Sequence, residues 1–150
     1  MGLNSEDPIR FIKHLLESKS TAKQTAYKHI CRAFTTLEAE SRSIVEELRR
    51  RARPSDKDVT VEFNSVSQQE FDVKLAGDLL IFVLGTNVVT LEESHPIMKE
   101  DYIRIDDVNR YFGQIMVYNF MAESLRFNRT NDPGYLLARL MINHENRFFI

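Results

Sequence analysis

The sequence predicts an α+β domain: an N-terminal helical hairpin with a long second helix, packed on a largely antiparallel β-meander of about six or seven strands. Two observations lead there. Apolar residues recur at helical spacing from Ile9 to Leu48, and Pro54 forbids further helix. From Val59 onward the spacing becomes two, with turn residues between the runs. The chain reads as one domain, residues 1–53 forming the hairpin and 54–150 the sheet. At 150 residues and 43% hydrophobic it is long enough to bury roughly 70% of its unfolded surface without a staple.

The first helix begins with Asp7 as N-cap and Pro8 at the first helical position, followed by the apolar stripe Ile9, Ile12, Leu15 and Leu16. It is expected to end near Ser18. Thr21 with Gln24 three residues on has the form of a capping box for the second helix. That helix should reach about 50 Å at about 1.5 Å per residue. Its seam of Tyr27, Ile30, Phe34, Leu37, Ser41, Ile44 and Leu48 steps alternately by three and four. Such a seam covers the chain's own sheet, or pairs with the same helix of a second copy, or does both along different parts of its length.

After Pro54 come the runs Val59-Val61-Phe63 and Phe71-Val73-Leu75, which pair with all their apolar side chains on one face if Phe63 opposes Phe71 and Val61 opposes Val73. Glu62 then opposes Asp72, with Lys74 diagonal to both. Gly77-Asp78 is a hairpin turn into LLIFVL, where Leu80, Phe82 and Leu84 extend the buried face and Ile81 and Val83 emerge on the other. A strand apolar on both sides is normally covered twice, so later segments or a second subunit must lie over Ile81 and Val83. VVTLEE and Tyr102–Ile105 read as further strands, and Tyr111–Met121 as a strand despite a competing helical spacing. RFNRTNDPGY reads as a loop, and YLLARLMIN, HEN and RFFI as a last hairpin.

Composition narrows the function. A single cysteine and a start without a basic, apolar leader point to a reduced cytoplasmic protein. The longest apolar run, Leu79–Leu84, is far short of the roughly 20 residues of a membrane span. A net charge of −2 supplies no global field for nucleic acid. The four histidines lack zinc spacing, Cys31 sits inside an apolar stripe, and the glycines form no phosphate loop. No cofactor is expected.

Three constellations carry the functional expectations. Asp72-Val73-Lys74 resembles the motif of PD-(D/E)xK nucleases over about Glu47–Leu84, with Asp56 or Asp58 as the upstream acid and Glu62 and Glu70 on the same face. The resemblance implies carboxylates holding Mg²⁺ and a lysine activating water. Pro54 and Asp56 are not adjacent, however, and no helical crossover to a parallel strand follows. The alternative reading of Glu62, Glu70, Asp72 and Lys74 is a solvated face whose charges partly compensate across strands. Arg49, Arg50, Arg51 and Arg53 suit a helix C-terminus, or a phosphate or nucleic-acid patch. Lastly, a long amphipathic helix feeding a sheet resembles, at the level of fold, PAS-like and GAF-like sensory domains. The leading expectation is a non-enzymatic interaction or sensor domain, self-associating through Tyr27, Ile30, Phe34, Leu37, Ile44 and Leu48 or through Ile81 and Val83. The nuclease and the nucleic-acid or phosphate-binding module are the alternatives.

Overall fold

In a computed structural model, which describes residues 7–150, the first third of the chain is a single helical rod. It comprises α1 (Pro8–Leu15), a π-helical turn (Leu16–Ser20) and α2 (Thr21–Arg51). The Asp7 carboxylate accepts the Ile9 N–H at 3.1 Å, as an N-cap should. The helical hairpin does not form. Ser18 donates its hydroxyl to the His14 carbonyl at 2.7 Å and Thr21 to the Leu16 carbonyl at 2.9 Å. Both side chains therefore bond back into the helix they were expected to break, and one wide turn absorbs them. The rod ends at Ala52, whose backbone is extended two residues before Pro54.

Six antiparallel strands follow in sequential order: β1 (Val61–Ser67), β2 (Glu70–Leu75), β3 (Asp78–Leu84), β4 (Phe112–Met121), β5 (Tyr135–Asn143) and β6 (Phe148–Phe149). The expected α+β class and antiparallel meander are thus present. The β1–β2 register differs from expectation by two residues: Phe63 opposes Val73 and Val61 opposes Leu75. A bulge between Ser65 and Ser67 lets the chain turn at Gln68-Gln69. Because the slip is even, every side chain keeps its predicted face, but Glu62 now opposes Lys74 and Asn64 opposes Asp72.

The inner face of the sheet carries α2. Ile30, Phe34 and Val45 of the helix meet Phe71, Val73, Leu84, Ile115 and Ile142 in one core, with Tyr27, Cys31 and Leu37 packed around it. Phe71 is fully buried, its ring 4.4 Å from Phe82, 5.3 Å from Phe34 and 5.6 Å from Phe63. The two layers approach closely at Gly113 of β4. A Cβ there would lie 2.4 Å from the Ile30 Cγ2, so only glycine admits the helix at this distance.

Between β3 and β4 the chain makes an excursion rather than the two expected strands. VVTLEE contributes one bridge, Val89 to Phe112, and Tyr102–Ile105 lies within a short helix, α3 (Asp101–Ile105). The β-forming side chains are overridden by packing: Ile103, Met98 and Phe112 close over Met141 in a second core, with Leu91 and Ile97 beside them. Arg110 pins the excursion, donating to Thr90 at 3.2 Å and pairing with Asp107 at 3.0 Å and with Glu93. Asn143, fully buried, joins it to the last hairpin. Its amide donates to the Tyr102 hydroxyl at 2.8 Å and its carbonyl oxygen accepts the N–H groups of Glu145 and Arg147 at 3.1 and 3.0 Å. This second core covers one end of the sheet's outer face.

Candidate functional site on the outer face of the sheet

Strand parity and the observed register place Glu62, Lys74, Leu79 and Phe120 in one row of the outer face. The next row holds Asn64, Asp72, Ile81, Tyr118 and Leu136, and the third Glu70, Val83, Met116 and Arg139. The face is therefore polar over β1 and β2 and apolar over β3, β4 and the start of β5.

At the polar end a cleft of about 690 Å³ is lined by Lys57, Asp58, Thr60, Glu62, Lys74 and Arg126, among others. Lys74 Nζ donates to the Thr60 hydroxyl at 3.0 Å and lies 3.5 Å from the Glu62 carboxylate. The Thr60 hydroxyl donates to Glu62 at 2.8 Å. This hydrogen bond, with the Lys74 charge behind it, holds the Glu62 carboxyl below the ordinary carboxylate range. Three cations and three acids line the cleft, so their charges largely compensate.

The nuclease constellation is only partly assembled. Asp72 lies outside the cleft and accepts the Asn64 amide at 3.2 Å, while Lys74 turns toward Glu62 and Thr60. Glu70 sits two rows from Glu62. Asp56 accepts the Asp58 N–H at 2.9 Å within the loop that follows α2, leaving Asp58 alone of that pair in the cleft. Among the described residues, no three His, Cys, Asp or Glu side chains converge as ligands of one metal ion would. The Mg²⁺ set is thus not brought together by this geometry.

The arginine cluster is engaged with its own helix end. Arg50 and Arg51 both pair with Glu47, and Arg53 donates to the carbonyls of Arg50 and Ala52 at 2.7 and 2.8 Å. These cations neutralise the carbonyl end of α2, where the macrodipole favours them. Arg49 and Arg53 also line a groove of about 510 Å³ with Leu48, Pro54 and Val61.

Of the helix seam, Ile30 and Phe34 are buried against the chain's own sheet, with Tyr27 and Leu37 packed beside them. Ile44 and Leu48 remain 58% and 40% exposed. Ile81 and Val83 are half-buried on the outer face, as are Met116 and Tyr118, and Leu136 is 43% exposed. The excursion shields the far end of this strip, and a loop shields the near end, where Gly134 abuts the Phe120 ring. Among the described residues, no helix or strand lies over the middle.

Met116, Tyr118 and Leu136 were not singled out from the sequence, although β4 is apolar at both parities just as β3 is. A second apolar surface lies on the first helix: no residue of α1 is buried, and Ile9, Phe11, Ile12 and Leu16 are each at least half exposed.

No protein-family model, no curated protein and no solved structure matches this chain. No helix among the described residues is long and apolar enough to cross a membrane.

Proposed function

We propose that this chain is a non-enzymatic protein-interaction domain that self-associates through the outer face of its sheet. The observation that carries the reading is the two-sided apolar character of β3 and β4. Their inner residues meet α2, whereas Ile81, Val83, Met116 and Tyr118 lie with Leu136 on the outer face, between Glu70 and Asp72 on one side and Arg139 on the other. An apolar strip bounded by polar residues is the usual form of a docking surface. The lone Cys31, packed against the core and unpaired, suits a reducing cytoplasmic setting. A sensor whose output is its association state would use the same surface.

Light scattering on the eluting full chain at micromolar concentration tests this. The expected mass is twice the chain's 17.5 kDa. Val83→Lys, which places a charge in the middle of the strip, is expected to leave the circular dichroism spectrum unchanged and to yield a monomer. A native chain that is strictly monomeric at these concentrations overturns the reading.

A further inference from the structure

We infer that a groove along β5 binds an amphiphilic carboxylate, an apolar body ending in one anionic group, with Arg139 holding the carboxylate and the leucines of the strand holding the body. The groove adjoins the outer strip and shares Leu136 with it, but the inference does not rest on the self-association reading.

A bulge in β5 and the excursion between β3 and β4 build the groove. Leu136 opposes Tyr118 and Ala138 opposes Val117, which leaves Leu137 as an extra residue in the ladder. In a regular strand, one of two adjacent leucines would turn to the inner face. The bulge resets that alternation, so Leu136 and Arg139 share the outer face with Tyr118 and Met116, and Leu137 lines the groove with them. Leu136 and Leu137 are 43% and 54% exposed. Facing them are Leu91, His95 and Ile97 of the excursion, and the end of β6 contributes Phe149. β6 pairs with β5 only at Met141 and Ile142, so no strand covers the β5 edge beside Arg139. The groove holds about 840 Å³, within the range of about 300–1,000 Å³ usual for small-molecule sites.

Charge names the ligand. No Asp or Glu side chain lines the groove, and among the described residues Arg139 makes no ion pair. Glu93, on the same excursion, is taken up by Arg110. His95 is the second polar group. Its Nδ1 accepts the Ile97 N–H at 3.3 Å, which places the proton of the neutral ring on Nε2, a donor with no partner among the described residues. The lining thus offers a permanently charged guanidinium fork and a ring N–H, and no carboxylate, amide or hydroxyl side chain to accept from a ligand. The clefts at Lys74 and at Arg49 each contain at least one acid that answers their cations; this groove contains none. A guanidinium pairs with a carboxylate through two parallel hydrogen bonds. A cationic amphiphile would meet Arg139 with like charge, and a short acid would leave the leucines in water, so both parts of the ligand are selected.

Isothermal titration calorimetry of the full chain with laurate, below its micellar concentration, tests this. Saturable binding of one laurate per chain is expected, about tenfold or more tighter than dodecyltrimethylammonium, with no binding of acetate. Arg139→Gln should weaken laurate about tenfold, as loss of one charge-assisted contact does. Arg139→Glu should reverse the preference in favour of the cationic amphiphile, a gain that misfolding could not produce. Leu137→Glu, at an exposed position outside the core, should abolish laurate binding while leaving the circular dichroism spectrum unchanged. Absence of laurate binding, equal affinity for the two charge types, or laurate binding untouched by both Arg139 variants overturns the inference. Binding of the chain to anionic phospholipid vesicles without binding of free laurate overturns it in favour of a lipid surface. A strictly monomeric chain that binds laurate through Arg139 defeats the self-association reading and leaves this one standing; a dimer that binds no laurate does the reverse.

Discussion

Substituting Gly113 by alanine probes the junction between the helix and sheet layers at a point of close approach. The new Cβ would stand 2.4 Å from the Ile30 Cγ2, 2.7 Å from its Cβ and 3.1 Å from the Ala26 carbonyl oxygen, where relaxed carbon contacts need about 3.5–4.0 Å. Ile30 is fully buried and its Cβ is fixed by the helix backbone, so no change of rotamer clears the second and third contacts. The helix must retreat by about 1 Å over the centre of the core. Overpacking of this kind costs about 1–3 kcal/mol, and two backbone-anchored contacts place Gly113→Ala at about 3. The reduced freedom of the unfolded chain returns about 0.4–1 kcal/mol, leaving a net loss of about 2 kcal/mol. For a domain of this size that is a fall in Tm of about 4–8 °C. Urea and thermal unfolding followed by circular dichroism read it directly. Gly77→Ala is the control: nothing lies within 4 Å of its added Cβ, so it should stay within about 0.5 kcal/mol of the native chain or slightly above it. A Gly113→Ala protein as stable as the native one would refute the placement of α2 on β4.

Three further outcomes follow from the packing and the polar network. Phe71→Ala removes a fully buried ring stacked among three others and should cost about 3–5 kcal/mol in denaturant unfolding; a loss below 1 would place Phe71 outside the core. Asn143→Ala orphans the groups it joins, and should cost about 2–4 kcal/mol while raising protease cleavage within residues 86–110; unchanged cleavage would contradict its role as the tie. Tyr102 has its hydroxyl pushed above the ordinary phenol range, first by burial and then by its bond to Glu145 at 2.5 Å. A raised pKa in the folded state means stability is whole below about pH 10 and declines as pH rises through the folded value, so Tyr102→Phe should flatten the alkaline limb of the stability profile. An unchanged limb in Tyr102→Phe would remove Tyr102 as its source.

The sequence made the inner face legible because side-chain parity survives errors in register. Phe63, Phe71, Val73, Phe82 and Leu84 point inward whether Phe63 opposes Phe71, as expected, or Val73, as observed. The pairs that parity does not fix came out differently: Glu62 meets Lys74 rather than Asp72, and this is why the acidic set of the nuclease resemblance does not gather. Ser18 and Thr21 misled for a local reason, since a hydroxyl that caps a helix start can equally bond back to the preceding turn. Tyr102–Ile105 misled for a global one, because β-forming side chains become helical where Met98, Phe112 and Met141 offer them a core. Asn143 carried no readable signal, its partners being 34 and 41 residues away in the chain. The apolar side of α1 was visible in the spacing of Ile9, Ile12 and Leu16, but spacing alone does not say whether a helix face is covered, and among the described residues this one is exposed.

The central claim is that the outer strip is buried by a second copy. Hydroxyl-radical footprinting of the full chain, diluted from high micromolar to nanomolar concentration, measures that burial residue by residue. The account predicts that labelling of Met116 and Leu136 rises in parallel on dilution, while Ile44, 58% exposed on the helix of the opposite layer, stays constant. Labelling at those two positions that is equally strong at every concentration would contradict it.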